Sequence, residues 1–163
     1  MAASLTQAER VIAVDVNPGR LALATELGAT DTIDAAATDD PVAAIRELTG
    51  GGAGHVLESS GNVRAFRQAI DADAIGAVIA VVGAPFGQEA AVDVVDIVNS
   101  SKRIVGIVEG ASVPHVLIPD LIGLHAAGRF PVERLVTSFP FSRINDAAAV
   151  AASGEAVKPV LHL

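Results

Sequence analysis

The sequence predicts an α/β fold built on a parallel, doubly wound sheet. Three observations point there. Apolar runs of strand length alternate with helix-periodic segments through the first 110 residues. Hydrophobic residues make up 51% of the chain, yet aromatics are only five Phe with no Trp or Tyr, so the core must be built from Val, Ile, Leu and Ala, as in strands covered on both faces. The same start-and-stop pattern also appears twice, an Asx-Pro opening and a glycine ending, at Asn17-Pro18 to Gly28 and at Asp40-Pro41 to Gly50.

In chain order, Arg10 to Val16 reads as a buried strand, and Asn17 caps a helix carrying Leu21, Ala24 and Leu27 on one face. A short strand is expected at Asp31–Ala35, then a second helix with Val42, Ile45 and Leu48 inward. "HVLESSG" (His55–Gly61) is a third strand, followed by a helix through Val63, Phe66 and Ile70. "AVIAVVGA" (Ala77–Ala84) is a central fourth strand, apolar on both faces, and "RIVGIVEG" (Arg103–Gly110) a fifth. Beyond Ser112 the pattern changes. A helix runs toward Gly128, with Pro119 marking its start or a kink. The strand-like "RLVTSFPF", a helix through "INDAAAVAAS" stopped by Gly154, and a last strand "VKPVLHL" complete the chain.

Composition excludes several functions. A net charge of −8 disfavours nucleic acid or an anionic membrane as partner. No basic-then-apolar signal opens the sequence, and the longest uncharged run, Ala74–Gln88, is too short and too rich in Gly and Pro to span a bilayer, so a cytoplasmic protein is expected. The lack of cysteine removes disulfides, thiol nucleophiles and thiolate zinc sites. His55, His115, His125 and His162 show no metal-ligand spacing. Ser59 and Ser60 sit in no Gly-x-Ser-x-Gly elbow, and Asp93 with Asp96 reads as a helix-start pair.

The residues that invite chemistry are those at carboxyl ends of strands, where open α/β sheets bind ligands. Asp15 closes the first strand and suits the two hydroxyls of an adenosine ribose, a reading that favours NAD over NADP; the alternative is an aspartate opening a turn before a helix. "ESSG" (Glu58–Gly61) and "VVGAP" (Val81–Pro85) close the third and fourth strands, and their small residues would let a flat ligand approach the backbone. The alternative is ordinary turn chemistry. A ribose-binding aspartate should follow a glycine-rich phosphate loop by about 20 residues, and no such loop precedes Asp15.

Blocks along the whole chain go further. "VIAVDVNPGRLALATELGATDTIDA", "HVLESSGN", "VVGAPFG", "SSKRIVGIVEG", "GRFPVERLVTSFPFSRINDAAA" and "SGEAVKPVL" occur in that order. Together they resemble the C-terminal half of zinc-dependent medium-chain alcohol dehydrogenases of the aryl-alcohol type. The resemblance implies a Rossmann-like doubly wound sheet lacking its first strand over residues 1–110, the partial NAD-binding domain, and a segment 111–163 that would return to a catalytic domain. By the same resemblance Asp15 looks like the ribose acceptor and Arg20 the basic residue beside it. Ser59 and Ser60 would line the adenosine side. Val82, Ala84, Ile107 and Glu109 would offer backbone groups to the nicotinamide, and Lys158 would reach the pyrophosphate. Strand 103–109 matches one that pairs across a homodimer in the family.

The family's zinc ligands, proton relay and glycine-rich turn have no counterpart in this sequence, so zinc and a small alcohol or aldehyde belong to a complete enzyme, with a separately encoded N-terminal half as one possible partner. The expected consequence is a chain inactive alone, with "MAASLTQAER" the remnant of a first crossover helix. "ADAIGAV" replaces the family's Pro-Gly-Gly turn. The first and third strands are each expected to lose a neighbour, either closing together or leaving a gap. A competing reading is a non-catalytic nucleotide-binding or dimerisation module.

Overall fold

The computed structural model describes all residues from Met1 to Leu163. The chain falls into two compact units, residues 2–113 and residues 114–163 with Met1.

The first unit alternates five strands with four helices: β1 (Ile12–Asp15), α1 (Pro18–Glu26), β2 (Asp31–Asp34), α2 (Pro41–Thr49), β3 (Ala53–Glu58), α3 (Val63–Asp71), β4 (Asp73–Val81), α4 (Val94–Ser100) and β5 (Arg103–Gly106). All the helices open on Asx caps. The side chains of Asn17, Asp40, Asn62 and Asp93 accept from amides one turn on, at 2.9 Å from Gly19, 3.0 Å from Ala43, 2.8 Å from Arg64 and 2.9 Å from Val95. Each satisfies a donor that the helix start leaves free. Asp93 and Asp96 thus are a helix-start pair, as the sequence suggested.

Every strand pairing is parallel. β1 pairs with β2, while β3, β4 and β5 form a separate sheet in that order. β1 and β3 share no ladder, so of the two expectations the gap is realised. Leu57 on β3 is 67% exposed and Val14 on β1 43%, apolar side chains that a covered sheet would bury. The core sits around β4, where Ile70, Ala77 and Ile79 are at most 1% exposed.

Boundaries differ from the sequence reading for local reasons. β3 begins at Ala53 rather than His55, and β4 at Asp73 rather than Ala77. Pairing starts with Ala53 opposite Asp73 and resumes with His55 opposite Val78, so the "AIG" of "ADAIGAV" bulges out, with Gly76 at φ +77° and Ile75 85% exposed. β5 stops at Gly106, because Glu109 (φ +50°) and Ala111 (φ +48°) enter a short 3₁₀ turn. The strand read as 103–109 is therefore corrected to 103–106. Met1–Arg10 is not a helix; it holds a single 3₁₀ turn at Ala3–Leu5.

The second unit contains α5 (Pro114–Ala126), β6 (Val136–Pro140), α6 (Ile144–Ser153) and β7 (Lys158–His162). β6 and β7 are parallel, joined by α6, which stops at Gly154 in the left-handed conformation. Phe139, Ala147 and Ala156 form its buried centre. α5 starts at Pro114, so Pro119 lies inside the helix rather than at its start. No helix is long and apolar enough to cross a membrane.

Candidate functional site: the carboxyl ends of the strands

Parallel pairing places the last residues of the strands on one edge of each sheet. On the first sheet Asp15 lies opposite Asp34. Asp15 Oδ1 accepts from the Asn17 amide at 2.9 Å, which fixes the side chain to the turn into α1. Its Oδ2 lies 3.9 Å from Arg20 Nη1, a loose pair in which the carboxylate keeps 31% of its exposure. An aspartate held by one oxygen and only loosely paired at the other can accept a hydroxyl. Arg20 reaches it from the first turn of α1 because Asn17 and Pro18 set the helix start.

On the second sheet the turns after β3 and β4 are locked together. The Glu58 carbonyl accepts from the amides of Val82 at 2.8 Å and Gly83 at 3.2 Å. Glu58 Oε1 accepts from the Ser60 amide at 2.7 Å and from the Ser60 hydroxyl. A Cβ on Gly83 would fall 2.2 Å from the Gly61 nitrogen and 2.7 Å from Glu58 Oε2. Only glycine permits that approach, so packing of one turn on the other accounts for Gly83. Beside them lies a cavity of about 130 Å³ bounded by Glu58, Val63, Phe66, Val81, Pro85 and Gln88, among others.

The remaining sequence-predicted residues fall as follows. Ser59, Ser60, Val82, Ala84 and Glu109 are exposed, and Ile107 is half-buried. The amides of Val82 and Ile107 are spent on Glu58 and Val81, the latter at 2.9 Å, so their carbonyls are the groups left for a ligand. Glu109 sits in the 3₁₀ turn beyond β5, its carbonyl accepting from Ser112 Oγ at 3.0 Å. Asp15 ends a strand of the first sheet with Arg20 on the helix that follows it, whereas Ser59, Ser60, Val82, Ala84, Ile107 and Glu109 lie in the segments that leave the second sheet. Lys158 is exposed at the start of β7, in the second unit.

Two features were not read from the sequence, although the first lies in the "ESSG" stretch that it singled out. One is Glu58, only 5% exposed at the end of an apolar strand; the signal was a lone carboxylate two residues ahead of a serine. The other lies at the opposite end of β4. Lys102 Nζ is buried and donates to Asp73 at 2.9 Å, Asp96 at 2.8 Å and the Ile70 carbonyl at 3.2 Å. Burial pulls the Lys102 pKa down, but its bonds to Asp96 and Asp73 more than offset this and hold it above the ordinary 10.5. The Lys102 bond holds Asp96 below the ordinary 3.8. Asp73 Oδ2 is buried without a partner. No group of three His, Cys, Asp or Glu side chains could hold a metal ion, so the residues of this chain do not fit a zinc.

Residues 1–123 match the family model described as zinc-binding dehydrogenase. The chain belongs to that family. It is 40% identical to geraniol dehydrogenase from Castellaniella defragrans over 156 residues, 94% of this chain and 42% of that protein. It is 30% identical to alcohol dehydrogenase 1 of Zea mays over 165 residues, 99% of this chain and 43% of that one. Among solved structures it superposes on benzyl alcohol dehydrogenase from Acinetobacter calcoaceticus with a TM-score of 0.95 and 43% identity, covering 98% of this chain and 44% of that chain. An alcohol dehydrogenase zinc-binding domain protein from Burkholderia ambifaria gives 0.96 and 48%, over 99% and 44%. The chain thus spans a little under half the length of these relatives, corresponding to the C-terminal half of zinc-dependent medium-chain alcohol dehydrogenases, and its fold is the Rossmann-like parallel α/β arrangement of their structures.

Proposed function

We propose that this zinc-binding dehydrogenase chain is the cofactor-binding half of an NAD-dependent aryl- or benzyl-alcohol dehydrogenase. The observation that carries this reading is Asp15, tethered by one oxygen at the carboxyl end of β1 with Arg20 beside it. A carboxylate in that place accepts ribose hydroxyls and repels a 2′-phosphate, which favours NAD. Residues 1–110 are the nucleotide domain in this reading. Ser59 and Ser60 line the adenosine side, and Val82, Ala84, Ile107 and Glu109 the nicotinamide side, where Val82 and Ile107 have their carbonyls to offer. Residues 111–163 serve a catalytic domain in this reading.

NAD accepts the hydride when bound, and this chain's part is to bind and orient it. The alcohol must be polarised by groups that this chain does not supply. These residues alone are therefore expected to be inactive, and in this reading they belong to a cytoplasmic enzyme whose zinc ligands lie elsewhere, a separately encoded N-terminal half being one arrangement. Mixing this chain with one that bears those ligands should restore benzyl-alcohol-dependent reduction of NAD. Failure at every ratio, with both pieces folded, would contradict the split-enzyme version.

β5 is an edge strand with every residue exposed, including apolar Ile104 and Val105. That favours a second reading: a module that binds the nucleotide and pairs with a second copy through β5 without catalysis.

A further inference from the structure

We propose that Glu58 is a positioning residue for nucleotide binding: its carboxylate and carbonyl together hold the Ser59–Gly61 turn against the Val82–Ala84 turn. The inference rests on the reading of this edge as the cofactor site. Glu58 makes four bonds at the junction, two through its backbone carbonyl to Val82 and Gly83 and two through Oε1 to Ser60. The carbonyl bonds belong to any residue at that position. The Oε1 bonds do not, and they tie Ser60 back toward the end of the strand. Ser60 Oγ in turn accepts from the Asn62 amide at 3.1 Å, so the carboxylate's hold runs on to the cap of α3.

The neighbouring contact leaves no slack. The Gly61 nitrogen approaches Gly83 so closely that even a methyl group would collide. Beside the turns the cavity of about 130 Å³ gives them space to collapse into once Ser60 is released. Glu58 is too buried to meet a nucleotide extensively, so its action passes through Ser60 and the main chain. Acceptor capacity, more than volume, is then the property that matters.

The test is calorimetric titration of the full chain with AMP, corrected to the folded fraction from circular dichroism. Glu58→Gln keeps an acceptor oxygen and should bind within about threefold of wild type. Glu58→Met keeps the volume, loses the acceptor and should bind on the order of tenfold more weakly. Ser60→Ala should weaken binding in the same direction, and adding it to Glu58→Met should cost nothing more. If Glu58→Met is poorly folded, Ser60→Ala decides alone. A folded Glu58→Met or Ser60→Ala variant with wild-type affinity, while Asp15→Ala abolishes binding, overturns the proposal and leaves the nucleotide reading standing. No AMP binding by the folded wild type overturns both.

Discussion

Replacing Lys102 by Met should be the most destabilising single change in the first unit, and its size can be worked from the burial. The Lys102 and Asp73 side chains are 1% and 2% exposed, so solvent does not screen their pair. Removing the ammonium strands a buried carboxylate that already has one oxygen without a partner. Breaking a buried pair in this way costs about 3–5 kcal/mol. The second partner, Asp96, is 41% exposed, so solvent screens its bond and the buried Asp73 pair sets the size of the effect. With a urea slope of about 2 kcal/mol per molar, the midpoint should fall by about 2 M. Stabilities of whole domains are about 5–15 kcal/mol, so the loss should be plain. With no Trp or Tyr in the chain, far-ultraviolet circular dichroism is the probe. Lys102→Met/Asp73→Asn should recover at least half of the loss, because the stranded charge goes with the second change. A midpoint shift for Lys102→Met below about 0.5 M would refute the argument, since it would mean that Asp73 is solvated or protonated without the lysine.

The same cluster predicts the pH profile. Asp96 lies below its ordinary value, so its contribution is present above about pH 4 and is lost as pH falls through the folded value. Lys102 lies above its ordinary value, so its contribution is complete below about pH 10 and is lost as pH rises through the folded value. Urea midpoints should be level between these limits, and Lys102→Met should blunt both falls. Gly83→Ala should cost about 1–3 kcal/mol through the clash with Gly61. Gly54→Ala, which meets nothing within 4 Å, should change stability by less than about 0.5 kcal/mol; equal effects of the two would contradict the close approach. If β5 pairs between copies, sedimentation equilibrium should show a wild-type dimer and a monomeric Val105→Lys variant.

Much of the fold was legible because its signals are local. Asx-Pro openings and glycine stops placed α1 and α2, and apolar runs placed the strands. The boundaries of β4 and β5 were not legible. A bulge at Ala74–Gly76 lets pairing begin early at Asp73, and positive φ at Glu109 ends the extended chain early, neither being a matter of hydrophobic pattern. Pro119 was left between a helix start and a kink because a proline inside a helix reads like a proline opening one; α5 takes it inside. The place of Asp15 at the end of β1 was legible from the apolar run before it. Glu58 was not, since its burial and its hold on Ser60 depend on the turn that returns from β4. Lys102 was hidden for the same reason: its partners come from the ends of three different elements.

The most direct test of the nucleotide account is calorimetry of the folded chain with NAD and NADP, beside the Asp15→Ala variant. The account predicts heat with NAD, at least tenfold weaker binding of NADP, and loss of NAD binding in the variant, about 1.4 kcal/mol or more. Equal affinity of wild type and Asp15→Ala for NAD would contradict it.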